Sequence, residues 1–301
     1  MVSLSYTRAP RLRANQTVGI IAPASPVSKS EIAQGLHLIE SFPLKVKLGN
    51  HLFDRTGYLA GSDQDRASDL HRMFSDPDIK AIFCARGGYG SARLLDRIDF
   101  DLIRDNPKIL LGFSDLTGLL IALFKKSGLI TIHGPVISDL PKGDSWHRLL
   151  ELITASHKPC ITLAHGRMVN EGKARGILIG GNLSTICSLV DTPFLPSFEG
   201  IILFLEEKGE SPYRVDRMLT QLLLSGRLAQ VSAVVIGQME DCGGQETLDS
   251  LLQERLGGLK VPVVTGLPVG HGDQNVSVPL GLPALLDTDK MVLEIEEAAV
   301  V

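Results

Sequence analysis

Basic residues are not in excess in this chain: 30 Lys and Arg stand against 34 Asp and Glu, a formal net charge of -4, with no dense Lys/Arg cluster. Nucleic acid is held chiefly through clustered cations on phosphate, so it is not an expected partner. Cysteine is scarce: Cys84, Cys160, Cys187 and Cys242 lie far apart, with no C-x-x-C pair. That spacing gives neither a disulfide framework nor a zinc-knuckle pattern, and fits reduced, mostly buried thiols. Long apolar runs are also missing. Runs such as "LLIALF" fall far short of the roughly 20 residues that a membrane span needs. Arg8, Arg11 and Arg13 are followed by a short strand-like run ending in "APASP" instead of an apolar h-region. The expectation from these absences is a soluble, cytoplasmic protein.

What is present suits a globular enzyme. The 301 residues are 44% hydrophobic, enough for a sizeable core in one or two domains. "TVGIIAP" reads as a buried strand, "SKSEIAQGLHLIESF" as a helix and "VKLGN" as a short strand. The stretch "DQDRASDLHRMFSD" has Ala67, Leu70, Met73 and Phe74 at helical spacing, and strand "IKAIFCA" runs into "RGGYG". Helix "SARLLDRI", strand "KILLGF", helix "LTGLLIALFKK" and strand "LITIHGP" continue the alternation. Strands alternating with helices predict a parallel sheet covered on both faces. From Pro141 to about Arg175 the character changes to a helix plus a crossing linker. Beyond it, "RGILIGGNLSTICSLV", "GIILFLEE", helix "RVDRMLTQLLLSGRL" and strand "VSAVVIGQ" precede a Gly- and Pro-rich tail, which suggests a second, smaller α/β domain.

Three places carry chemistry. In "LLGFSDLTGLL", Ser114 follows a buried strand and precedes a helix, where the helix N-terminus favours developing negative charge, as a nucleophile requires. The competing reading is that Ser114 or Asp115 merely caps the helix, and the final glycine of G-x-S-x-G is missing. In "ARGGYGSARLL", three glycines within four residues let backbone approach a ligand and leave N–H groups facing it, as an oxyanion hole needs. A dinucleotide or phosphate loop is poorly supported there, because Arg93 stands where G-x-G-x-x-G wants its last glycine. A serine nucleophile needs a base and the base an orienting acid. His133, after a strand, and His271, in "PVGHGDQN", are the better-placed histidines, while Glu206 and Glu207 stand at the tip of "GIILFLEEKGE".

Taken in order, "ARGGYGSARLL", "LLGFSDLTGLL", "GGNLSTICSLVDTPFLP", "LFLEEKGESPYRVDRMLTQLLLSG" and "GLPVGHGDQN" resemble the L,D-carboxypeptidase family of serine peptidases, the muramoyltetrapeptide carboxypeptidases. The resemblance runs over nearly the whole chain. It implies an N-terminal parallel-sheet α/β domain resembling class I glutamine amidotransferases and a smaller C-terminal barrel-like α/β domain. It also implies Ser114 as nucleophile, His271 as base, Glu206 as acid, and the N–H groups of Gly88 and Asp115 as oxyanion donors, with no metal or other cofactor. The expected division is residues 1–140 carrying the nucleophile, a linker over 141–175, and residues 176–301 carrying acid and base. One departure bears on the acid: the family usually has Glu-Asp where this chain has Glu206-Glu207. The implied partner is a small peptide or muropeptide substrate, with no nucleic acid or membrane, and the implied assembly a homodimer. The implied reaction releases terminal D-alanine from cytoplasmic murein tetrapeptides during peptidoglycan recycling. An arginine for the substrate carboxylate is expected, with Arg86, Arg214 and Arg217 as candidates. The alternatives are a microcin C immunity peptidase, which tends to be longer and to carry an added aromatic loop, or a non-catalytic ligand-binding module.

Overall fold

A computed structural model of the chain describes residues 6–141 and 144–301; residues 1–5 of the expected first domain and 142–143 of the expected linker lie outside them. The first half winds β1 (Thr17–Ile21), α1 (Lys29–Ser41), β2 (Lys45–Leu48), α2 (Asp63–Ser75), β3 (Ile79–Cys84), α3 (Phe100–Asp105), β4 (Ile109–Gly112), α4 (Thr117–Ser127), β5 (Thr131–His133) and α5 (Ser145–Thr154). The second half follows with β6 (Cys160–Thr162), β7 (Met168–Asn170), β8 (Lys173–Asn182), α6 (Leu183–Ser188), β9 (Ile201–Lys208) and α7 (Pro212–Leu224). It closes with β10 (Ala233–Glu240), α8 (Gln245–Leu256), β11 (Val263–Val264), β12 (Val278–Leu280), β13 (Pro283–Asp287) and β14 (Val292–Ile295).

The fold is mixed α/β with two sheets. The first has the order β12-β5-β4-β3-β1-β2 and is parallel from β2 to β5, with β12 antiparallel at its edge. The second has the order β6-β14-β13-β8-β9-β10-β11-β7, with a parallel centre from β8 to β11 and antiparallel flanks.

Side-chain alternation divides the first sheet between two cores. Val18, Ile20, Ala81, Phe83, Ile109 and Leu111 pack with α1 and α5. Their neighbours Ile21, Ile82, Cys84 and Leu110 face the opposite way, into a core that continues through α2 and α4 to the second sheet. Helix α4 is buried on nearly every side, from Thr117 through Phe124. A helix apolar all round belongs in an interior. The serine at its head therefore sits where the two sheets meet.

Three elements differ from the sequence expectation. "SARLLDRI" forms one 3₁₀ turn, Ser91–Leu94, not a helix; its only buried large apolar side chains are Leu94, Leu95 and Ile98, too few to sustain more turns. The next helix begins afresh at Phe100, where Asp99 accepts a hydrogen bond from Leu102 N at 2.9 Å. The stretch read as linker contributes α5 to the core under the first sheet, and its β6 and β7 form the two edges of the second sheet. Strand β12, from the far end of the sequence, completes the first sheet against β5, pairing Val278 with His133 and Leu280 with Thr131. All four cysteines are free, and Cys84, Cys187 and Cys242 are buried.

Candidate functional site

Strand β4 ends at Gly112, and Phe113 is fully extended before the chain turns into the 3₁₀ segment Ser114–Leu116 that leads into α4. Ser114 takes φ +62°, the left-handed region that an L-residue enters at a cost of about 1–2 kcal/mol. Helix α4 has no side-chain cap. Ser114 Oγ lies 3.0 Å from His271 Nε2, and Asp115 Oδ2 accepts from Ser91 N at 2.8 Å. Both groups that were candidates for capping thus point elsewhere.

His271 rides on the loop between β11 and β12. Gly270 has φ +135°, and a Cβ there would lie 3.0 Å from Glu206 Oε2. Only glycine satisfies both demands, so the loop presses directly onto Glu206. Gly272 N donates to Gln238 Oε1 at 2.7 Å and Gly270 N to Asn275 Oδ1 at 3.2 Å, which fixes the loop on both sides of the histidine. The Phe113 ring lies 4.8 Å from the imidazole.

His271 Nδ1 is 2.7 Å from Glu206 Oε2. Strand alternation sorts the two glutamates of β9. Glu206, with no exposed surface, faces the histidine. Glu207 faces away, accepting from Asn182 Nδ2 and Ser184 N at 2.8 Å each and from Lys208 N at 2.9 Å. Burial pushes the Glu206 carboxyl upward, while the hydrogen bond and charge of His271 pull it down. With Glu206 ionised, Nδ1–H donates to it, leaving Nε2 bare to accept from the Ser114 hydroxyl.

The glycine loop closes the other side. A Cβ on Gly87 would lie 2.9 Å from Ser114 Cβ, and one on Gly88, at φ +101°, would strike Ser25 Oγ. Ser25 Oγ accepts from Tyr89 N at 3.1 Å, and Ser25 N donates to Gly87 O at 3.2 Å. Arg66, its side chain wholly buried, donates through Nη1 to Pro23 O at 2.5 Å and to Gly90 O at 2.8 Å, and pairs through Nη2 with Asp63. Asp63 in turn takes Arg93 on both carboxylate oxygens, Nε on Oδ1 at 3.0 Å and Nη2 on Oδ2 at 2.9 Å. A cavity of about 130 Å³ opens beside His271, lined by Phe113, Pro135, Lys208, Asp273 and Asn275 among others.

The structure therefore gathers Ser114, His271, Glu206 and the glycine loop with Gly88. His133 goes elsewhere: it is fully buried, its ring edge-on to Phe204 at 5.0 Å and Phe113 at 5.8 Å, and among the described residues neither nitrogen has a hydrogen-bond partner. Arg86 pairs with Glu31 at 2.7 Å, Arg214 with Glu210 at 3.2 Å, and Arg217 lies over the Tyr213 ring. The supports Arg66, Gln238, Asn275 and Ser25 were not singled out from the sequence; "APASP" and "GQ" gave no pattern beyond ordinary loop and strand-end polarity. One group among the described residues has metal-ligand geometry, His51 with Asp54 and Asp65. It shares no residue with the Ser114 cluster. No helix among the described residues is long and apolar enough to cross a membrane.

Comparison with known proteins decides the family. Residues 18–134 match the LD-carboxypeptidase N-terminal domain and residues 175–286 its C-terminal domain. The chain belongs to the LD-carboxypeptidase family. It is 37% identical to a probable murein peptide carboxypeptidase of Bacillus subtilis over 98% of this chain and 95% of that one. Among solved structures, the muramoyltetrapeptide carboxypeptidase of Oxalobacter formigenes superposes with a TM-score of 0.83 at 30% identity, covering 93% of this chain and 98% of that one. The structure of MccF in complex with glutamyl sulfamoyl guanosine gives a TM-score of 0.91 at 26% identity, covering 98% and 99%. Membership makes this LD-carboxypeptidase family chain a hydrolase of the serine carboxypeptidase class.

Proposed function

We propose that the protein is an L,D-carboxypeptidase that releases terminal D-alanine from murein tetrapeptides by a Ser114-His271-Glu206 relay. The observation that carries this reading is the unbroken line of contacts from Ser114 Oγ to His271 Nε2 at 3.0 Å and from His271 Nδ1 to Glu206 Oε2 at 2.7 Å. His271 takes the Ser114 proton as Oγ attacks the carbonyl of the scissile bond. Glu206 holds the imidazole in the tautomer that can accept, and stabilises it once charged. The Gly88 and Asp115 N–H groups receive the oxyanion, each such donor being worth about 2.7–4 kcal/mol in comparable sites. His271 then returns the proton to the leaving amine and activates water for hydrolysis of the acyl-enzyme.

The murein substrate is supported by the likeness to the probable murein peptide carboxypeptidase of Bacillus subtilis and the muramoyltetrapeptide carboxypeptidase of Oxalobacter formigenes, and a cytoplasmic recycling role goes with it. A second reading, cleavage of an aminoacyl or peptidyl nucleotide, draws on the likeness to MccF. Mass-spectrometric detection of D-alanine from L-Ala-γ-D-Glu-meso-diaminopimelyl-D-Ala tests the choice. Release by the unaltered protein, lost at least a thousandfold in Ser114→Ala, is the expected outcome. Absence of release from folded protein, with hydrolysis of glutamyl sulfamoyl nucleosides instead, would transfer the assignment to the second reading.

A further inference from the structure

An exopeptidase must read the free carboxylate at the end of its substrate, and the arginines nearest to that task by sequence are engaged. Arg86 is paired with Glu31, Arg214 with Glu210, and Arg217 with the Tyr213 ring. Arg66 is buried beneath the glycine loop. Among the described residues, one cation nevertheless faces the site. Strand β9 runs Glu206, Glu207, Lys208, and side chains two apart share a face. Lys208 therefore projects on the face of Glu206, not that of Glu207. It lines the cavity beside His271, where it is the only Lys or Arg among the described residues. Among the described residues its ammonium has no ion-pair partner within 4.0 Å.

We propose that Lys208 is a specificity-determining residue that binds the C-terminal carboxylate of the peptide substrate in the cavity beside His271. This assignment rests on the carboxypeptidase reading above. The size of the cavity agrees: about 130 Å³ is well below the 300–1,000 Å³ of ordinary ligand pockets, and suits one small terminal residue. A second charge sharpens the choice. Asp273 lines the same cavity, so a single carboxylate is attracted at Lys208 while an acidic side chain on the terminal residue is repelled. Lysine binds a carboxylate as a mobile point charge, without the planar fork of arginine. The site thus selects for the charge of the terminus more than for its orientation.

The test compares the tetrapeptide acid with the same peptide ending in D-alaninamide, following release of D-alanine or D-alaninamide by the unaltered protein, Lys208→Met and Lys208→Arg. The unaltered protein is expected to prefer the acid. In Lys208→Met, KM for the acid rises roughly tenfold with kcat within about twofold, and kcat/KM for the amide stays the same, a loss of the size expected for one solvent-facing charged hydrogen bond. Lys208→Arg restores most of the preference, which a merely structural role would not produce. If Lys208→Met keeps the full acid preference, the assignment to Lys208 is overturned while the carboxypeptidase reading stands. If the unaltered protein releases neither product, both fall together.

Discussion

At the scale of single residues, the site depends on which polar groups are allowed a partner. His133 has none among the described residues, and burial together with the neighbouring His271 pushes its pKa down to about 3. The unfolded value is about 6.5, so between about pH 3 and 6.5 the unfolded chain binds a proton that the folded chain refuses. Stability from this group is complete above about pH 6.5 and is lost progressively as pH falls toward 3. His133→Phe, which replaces an unpartnered imidazole with a ring of similar shape between Phe113 and Phe204, is expected to change stability little at pH 7 and to flatten its decline across that window. Urea titrations at pH 4.5 and 7 check this. Spacing alone leaves His133 and His271 as equals, since each stands near a glycine after an apolar run, and only the family resemblance picks His271. What separates them is depth: His133 ends a strand inside the first sheet, and His271 sits on a loop held by Gln238 and Asn275. Likewise "EEK" offered two acids until strand alternation sorted them, a pattern legible only once the strand's facing is known.

At the scale of elements, α2 is the least obvious contributor. In "DQDRASDLHRMFSD" Arg66 looks like one more solvated charge, yet it is the buried strut that ties α2 to Pro23 and Gly90. Nothing in helical periodicity distinguishes a charge that faces water from one that reaches under a loop. Removing it leaves two carbonyls without their donor, each costing about 1–3 kcal/mol. Arg66→Met is therefore expected to lower stability by about 2–4 kcal/mol. Activity measured on the folded fraction falls further, because the loop against Ser114 relaxes. Arg66→Lys is expected to recover only part of both losses, since an ammonium cannot span the two carbonyls and Asp63 together. Urea unfolding, paired with turnover at a denaturant-free folded fraction, separates the two effects. By contrast, β1, β3, β4 and α4 were readable from their apolar runs and turn residues, because their burial is continuous and local.

At the scale of the whole molecule, the two sheets are not independent. Strand β12 belongs to the first sheet but comes from the far side of the second, and Ala299 and Val300 return to the core beneath α1 and α5. Val301 N donates to Ala9 O at 3.1 Å, and Tyr6 donates to Glu297 at 2.6 Å. A fragment comprising residues 1–174 would lack these closures and bare the β5 edge. It is expected to give weak hydrogen-exchange protection and to aggregate, while the full chain unfolds in a single cooperative transition by circular dichroism. This closure could not be read from "VPL", three residues including a proline, whose partner lies 145 positions away (278 minus 133). The late strand also sets a clock on the ribosome. Ser114 leaves the exit tunnel long before His271, and at roughly 5–20 residues per second the wait from β5 to β12 is about 7 to 30 seconds. During biosynthesis Ser114 therefore stays without its histidine partner until the loop carrying His271 and strand β12 have emerged.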